Sequence, residues 1–313
     1  MANYTKVVTK TVDEWLAIRQ PRLGGSEISA VIGVNPFCSR YDLYLRKRGE
    51  VEPIPENMAM RLGHKLENAV AELLTEEAGY QIIKNTAGNL IYLSKDIDFA
   101  EASPDRIGYL PGERKTEANK IIIEIKTTQK AIDEEALPEY WLCQVQWYMG
   151  ITGIHRAVIA WLSSGRDFGY KEIPFSEEFF KFLVEEGHSF MQDVQAGNEP
   201  EPYTAQDVAL RYPKHIEGKT TECTEDVALA CGEYKEVKAQ IKALEEKAKT
   251  LEETIKLAFA DAEMLTYSDV PVATYKAAKD RTSFDSAKCL EEHPDFAEIY
   301  KKTVAGSRRL IIK

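Results

Sequence analysis

The chain of 313 residues is short of several things that would assign it to a simple class. No apolar run reaches the roughly 18–20 residues that a membrane-spanning helix needs. The opening Met1-Ala2-Asn3-Tyr4-Thr5-Lys6 lacks the apolar core of a signal peptide. Cysteines number five, at 38, 143, 223, 231 and 289, with no CxxC pair. That scatter excludes a disulfide framework and a cysteine-based zinc site, and it suits a reducing, cytoplasmic compartment. Basic residues are outnumbered, 40 against 51 acidic, for a net charge of -11. A general electrostatic sponge for nucleic acid is thereby excluded, although a nucleic-acid enzyme with locally basic groups is not. There is no internal repeat and no low-complexity tail. What is present is ample material for a core: 44% hydrophobic and 29% charged residues, over a length that suits two domains.

Periodicity divides the chain into an α/β region and a different C-terminal region. Thr11-Val12-Asp13-Glu14 reads as a capping box opening a helix with Trp15, Leu16, Ile18 and Arg19. Gly24-Gly25-Ser26 breaks the chain before a second helix with Ile28, Val31 and Ile32, stopped by Gly33 and Pro36. Residues 57–78 read as a longer helix whose core face carries Leu62, Leu66, Val70, Leu73 and Leu74. Strand-like stretches follow at Gln81–Lys84, Leu90–Leu93, Phe99–Ser103 and Ile121–Lys126. Then come an aromatic-rich helix at Pro138–Met149, strands at His155–Leu162 and Tyr170–Ile173, and a helix over 176–196. Interleaved strands and helices predict an α/β domain over residues 1–215. From Val237 the apolar residues Ile241, Leu244, Ala248, Leu251, Ile255, Ala258 and Ala262 keep heptad steps, so 216–263 reads as a helical hairpin or coiled coil. Residues 264–313 read as a small α+β segment with a strand at Val270–Ala277, a helix near Asp285–Lys302 and a strand at Arg309–Ile312. This segment has nine Lys/Arg and seven Asp/Glu, more basic than the chain as a whole.

The chemistry concentrates in Ser103-Pro104-Asp105 and Ile123-Glu124-Ile125-Lys126. On a strand, residues two apart share a face, so Glu124 and Lys126 point together while Ile123 and Ile125 point to a core. A hairpin between the two motifs brings the Asp105 carboxylate to Glu124. Two such carboxylates repel unless a proton or cation separates them. Hard oxygen ligands suit Mg2+ or Mn2+. Such a cation polarises a phosphodiester, and Lys126 is placed to orient water or offset charge on the phosphoryl oxygens. Glu67 offers a third carboxylate beside the apolar face of its helix. His64, one turn earlier, reads as a surface or packing residue. Trp141, Trp147 and Tyr148 have the helical spacing of core aromatics. Taken alone, the two motifs fit a surface turn and an edge-strand salt bridge equally well, and Ser26 fits either a helix cap or an anion seat.

Seven short motifs occur in one order: Trp15 to Arg19, Leu23 to Ile28, Gly33 to Pro36, Gly63 to Asn68, Ser103 to Asp105, Ile123 to Lys126 and Gln144 to Tyr148. Over roughly residues 10–200 the chain resembles the YqaJ-type viral recombinase family, relatives of the phage lambda exonuclease with a PD-(D/E)xK site. The resemblance implies a restriction-endonuclease-like core, a mixed central sheet flanked by helices. It also implies a metal-dependent exonuclease that digests linear double-stranded DNA 5′ to 3′ and leaves 3′ overhangs for recombination.

By the same resemblance, Asp105 and Glu124 bind metal together with the backbone carbonyl of Ile125. Glu67 stands near a second metal, Lys126 is the catalytic lysine, and Gln144 lies near the attacking water. Arg19, Ser26 and Ser103 match positions that hold a 5′-phosphate. The lambda enzyme has a further phosphate-binding arginine shortly after ExK, but Thr127-Thr128-Gln129-Lys130-Ala131-Ile132 has none. Lys130 offers a point charge in place of a bidentate fork. The resemblance further implies a phage or prophage origin, a single-strand annealing protein as partner and a ring-like trimer. Two rivals remain. A RecB-like nuclease of the CRISPR-associated kind would carry clustered cysteines, absent here. A non-catalytic DNA-binding scaffold would have lost an acid or the lysine, and all three are retained.

Overall fold

In a computed structural model of the chain, the described residues are 3–51, 57–83, 89–302, 306 and 308–312. They form two units, Met1–Arg211 and Tyr212–Lys313. Lys84, assigned above to a strand, lies outside the described residues.

The first unit is built on strand β6 (Lys120–Thr128), whose run Ile121-Ile122-Ile123 is fully buried. Burial on both faces explains the continuous β-branched sequence. Around it stand β2 (Gln81–Ile82), β5 (Arg106–Tyr109), β7 (Arg156–Ser163) and β8 (Asp167–Pro174), in the order β2-β5-β6-β7-β8. The β6–β7 pair is parallel and the other pairs are antiparallel. This is a mixed central sheet flanked by helices, as expected of a restriction-endonuclease-like core. Ile121, Ile123 and Ile125 pack with Val70, Ala71 and Leu74 of α4 (Met58–Ala78). Ile122 belongs to the larger cluster with Val145 and Trp147 of α5 (Glu139–Thr152). The alternation along β6 thus sorts Glu124 and Lys126 away from the α4 layer.

In a smaller sheet of β1 (Tyr4–Thr9), β3 (Asn89–Ser94) and β4 (Glu101–Ala102), β1 contacts α1 (Val12–Arg19), while α2 (Gly25–Val31) packs on α5 and on α3 (Arg40–Arg48). The capping box of α1 forms: the Glu14 N–H donates to Thr11 Oγ1 at 3.1 Å, and Glu14 Oε2 accepts from Thr11 N–H. Asn57 and Gly79 bracket α4, the glycine in the left-handed conformation that ends many helices. Helices α6 (Glu177–Ala196) and α7 (Ala205–Arg211) complete the unit.

The structure departs from the sequence expectations at several elements. Strand β1 and helix α3 were not predicted, because β1 is half exposed and α3 is crowded with charge. The Phe99–Ser103 stretch forms a strand only at Glu101–Ala102. Leu62, placed on the core face of α4, is 48% exposed; the buried residues of the helix are Val70, Ala71 and Leu74. Trp141, Trp147 and Tyr148 are buried, as core spacing predicts.

Gly25 sits where α2 crosses α5. A Cβ there would lie 2.5 Å from Tyr148 Cε1 and 3.0 Å from Gln144 Cγ. Gly25→Ala will therefore lower stability by about 1–3 kcal/mol, the usual cost of overpacking. An unchanged melting temperature would show that the two helices separate freely.

In the second unit the heptad pattern is one unbroken helix, α8 (Glu225–Phe259). A hairpin needs a returning helix, but the chain after Phe259 turns into β9 (Met264–Tyr267) and β10 (Val270–Thr274). Ser268 and Asp269 both have positive φ, which makes the tight turn between them. The helix predicted near Asp285–Lys302 is two short ones, α9 (Ser286–Glu292) and α10 (Asp295–Ile299), separated at Pro294. Arg309–Ile312 is not a strand.

Candidate active site

Register brings the two acidic motifs together. Arg106 pairs with Ile123 across β5 and β6, so Asp105, one residue earlier, comes opposite Glu124. Asp105 Oδ2 accepts the Ile125 N–H at 2.7 Å. Glu124 is 1% exposed. Its Oε1 accepts from Lys126 Nζ at 2.8 Å and from Gln144 Nε2 at 2.6 Å, while Lys126 Nζ also donates to Gln144 Oε1 at 2.7 Å. Gln144 Nε2 donates in turn to the Tyr148 hydroxyl at 3.0 Å. Asp105, Glu124, Ile125, Lys126 and Gln144 therefore form one connected site, drawn from β6, the approach to β5 and the buried face of α5.

One oxygen in this network is left over. Glu124 Oε2 is buried and has no hydrogen-bond donor. Burial, then the nearby Asp105 charge, push the Glu124 carboxyl up to about 8. Burial likewise raises Asp105, against the opposing pull of Lys126. For Lys126 burial disfavours the charge, but Glu124 and Asp105 outweigh it and raise the ammonium. Two buried acids whose charged forms burial disfavours, with an orphaned oxygen on one of them, fit a divalent cation, which takes oxygen ligands and repays their desolvation. Among the described residues no group of three or more His, Cys, Asp or Glu side chains gathers as a metal cage. The set here is two carboxylates and backbone, a composition suited to Mg2+ with water and substrate oxygens completing its shell.

Glu67 stands nearby but is held differently. Its carboxylate makes an ion pair with Arg106, whose guanidinium also donates to the Asp105 carbonyl at 2.6 Å and to Asn68 Oδ1 at 2.8 Å. Burial and the Asp105 charge raise the Glu67 carboxyl. His64, one turn before Glu67 on α4, is exposed, as its reading as a surface residue expects. Arg106 escaped the sequence reading. Its place next to Asp105 was the one available signal.

Arg19, Ser26 and Ser103 also come together, around a residue that the motifs did not single out. Arg19 Nη2 donates to Ser26 Oγ at 3.2 Å, and Arg19 Nε lies 3.3 Å from Glu101 Oε1. Ser103 Oγ donates to Glu101 Oε2 at 2.8 Å. The Arg19 guanidinium stacks on Trp15 with 4.2 Å to the ring centroid. Backbone bonds from Leu23 to Phe99 and Glu101 seat Gly24 against the acid, and a Cβ on Gly24 would fall 2.2 Å from Glu101 Oε1. Glu101 is 1% exposed, and burial raises its carboxyl although Arg19 draws it down. Ser26 is the second residue of α2, and the Gly24 N–H at the helix start is answered by Glu27 Oε2 at 2.9 Å. Lys130 is exposed.

Comparison with known proteins finds relatives over the same part of the chain. Residues 14–155 match the YqaJ-like viral recombinase domain, a span holding Glu67, Asp105, Glu124, Lys126 and Gln144. The YqaJ protein of Bacillus subtilis (strain 168) is 29% identical over 303 residues, covering 93% of this chain and 91% of its own length. Among solved structures, the alkaline exonuclease LHK-Exo of Laribacter hongkongensis is 20% identical, with a TM-score of 0.47 over 59% of this chain and 94% of its own. A phage-related exonuclease of Haemophilus somnus is 15% identical, with a TM-score of 0.39 over 55% of this chain and 92% of its own. Through residues 14–155 the chain is thus similar to the YqaJ-like viral recombinase domain, and along most of its length to the YqaJ protein of Bacillus subtilis.

Proposed function

We propose that this protein is a metal-dependent exonuclease that degrades linear double-stranded DNA from the 5′ end and leaves 3′ single-stranded overhangs for recombination. The observation that carries the hydrolytic reading is the buried, unpartnered Glu124 Oε2 beside Asp105 and Lys126. The 5′ to 3′ direction follows from the resemblance described above. Asp105, Glu124 and the Ile125 carbonyl would hold Mg2+ or Mn2+, with Glu67 near a second ion. The cation supplies Lewis-acid polarisation of the phosphodiester and favours a deprotonated water. Lys126, fixed by Glu124 and Gln144, presents its charge where the phosphoryl oxygens gain negative charge. Gln144 spans Glu124, Lys126 and Tyr148, so it orients both the lysine and an attacking water. The retained Asp105, Glu124 and Lys126 favour an enzyme over a non-catalytic scaffold. Among the described residues no helix is long and apolar enough to cross a membrane. A single-strand annealing protein is the expected partner for the 3′ overhang.

The test is cleavage of end-labelled linear duplex with Mg2+, Mn2+, Ca2+ or excess EDTA. Cleavage confined to Mg2+ and Mn2+ is the expected result. Undiminished activity in EDTA rules the reading out.

The end pocket yields a separate prediction. Glu101 already bridges Arg19 and Ser103, so a 5′-phosphate must compete with a buried carboxylate. Preference for a phosphorylated over a hydroxyl 5′ end will therefore be modest. Glu101→Gln will increase it about tenfold, the scale of one charge-assisted hydrogen bond, and Arg19→Ala will abolish it. Identical rates on both ends in all three proteins would show that Arg19 is structural.

A further inference from the structure

Among the described residues, nothing covers the apolar seam of α8 in the C-terminal unit. Tyr234, Val237, Ile241, Leu244, Leu251 and Ile255 along α8 are between 41% and 65% exposed. Ala248 and Ala258, which complete the seam, are exposed as well. In heptad terms Tyr234, Ile241, Ala248 and Ile255 occupy a, while Val237, Leu244, Leu251 and Ala258 occupy d. A helix of 35 residues with a continuous apolar stripe gains most of its stability by packing that stripe.

The flanking charges point to what covers it. Positions e and g carry both signs: Glu233, Lys238, Glu245, Lys247 and Glu252, with Gln240 and Thr254 neutral. Laid parallel and in register on a second α8, Glu233 meets the copy's Lys238 and Lys247 meets the copy's Glu252. Laid antiparallel with Ile241 against the copy's Leu244, Lys238 meets the copy's Glu245. No like charges face each other in either alignment. A strongly acidic or strongly basic partner would meet repulsion at some of these positions. In a parallel pairing, Ile241 and Ile255 at a with Leu244 and Leu251 at d favour two strands over three.

We infer that α8 is a self-association surface, the seam of a two-stranded coiled coil with the same helix of a second copy of this chain. The pairing is independent of the nuclease reading. It also differs in kind from a three-fold ring, because a two-stranded contact joins chains in twos.

Light scattering of the full chain at about 10 μM and in dilution reads the assembly. A mass of two chains, or an even multiple, is expected. Leu244→Glu should raise the concentration at which chains separate at least tenfold. Cross-linking supplies the second measurement, in a background with Cys223, Cys231 and Cys289 changed to Ser. Val237→Cys will link to itself in a parallel pair, or mixed Val237→Cys and Ala248→Cys chains will link to each other in an antiparallel one. Either disulfide supports the seam. A one-chain mass, as from a cover within the same chain, overturns the inference. So does a three-chain mass with neither link, or a Leu244→Glu protein that dissociates like wild type.

Discussion

Lys126→Ala will slow DNA cleavage by about 10²–10³-fold while leaving cation binding in place. Lys126 donates to Glu124 and Gln144 and is not itself an oxygen ligand, so its loss removes positive charge from the reaction rather than the cation from its seat. The fold will feel the change too. Gln144 Oε1 loses its donor, at about 1–3 kcal/mol for an unsatisfied buried acceptor. Melting temperature and Mn2+ titration should therefore accompany the rate measurement. A folded, cation-binding Lys126→Ala protein that cleaves at the wild-type rate would falsify the catalytic assignment. Asp105→Ala should instead lose rate and cation affinity together.

Glu124→Gln will abolish cleavage and yet stabilise the cation-free protein at alkaline pH. The Glu124 carboxyl titrates at about 8 in the folded chain, against 4.5 for an ordinary glutamate. The folded state therefore holds this proton more tightly than the unfolded chain. Its contribution is fully present below 4.5 and is lost as pH rises through 8. Glutamine keeps the acceptor for Lys126 and Gln144 and removes the repulsion with Asp105. In EDTA the wild-type melting temperature should fall between about pH 5 and pH 8, and the Glu124→Gln curve should be flatter across the same window. Added Mg2+ should restore the wild type most at the alkaline end, where it replaces the missing proton, and should do little for Glu124→Gln. Parallel pH curves for the two proteins would mean that the buried acid carries no such strain.

Much of the site is legible before folding because strand chemistry is local. The alternation in Ile121–Lys126 records which side chains share a face, and the β-branched run records burial on both faces. The heptad steps of α8 are legible for the same reason: a helix repeats its own geometry. Glu101 and Arg106 were not legible. Each is an ordinary charged residue in sequence, and its importance comes from partners far along the chain. Glu101 gains Arg19 because Leu23 bonds alongside β4, and Arg106 gains Glu67 because α4 covers the β6 face.

The sequence by itself determined the α/β alternation, the helix caps, the acidic and basic residues that share one face of the site strand, and the heptad seam, since each depends on neighbours within a turn or a strand. Tertiary structure alone decided which charges neutralise each other. The β5–β6 register brings Asp105 to Glu124, α5 lowers Gln144 onto both Glu124 and Lys126, and Gly24 leaves the space that Glu101 fills. The same holds for what is left unsatisfied: an oxygen of Glu124 and the seam of α8 await partners that local pattern does not specify. The physical reason is range. Periodicity is set by bond geometry over a few residues, whereas desolvation and charge pairing depend on whichever distant segment the packed fold brings within a few ångströms.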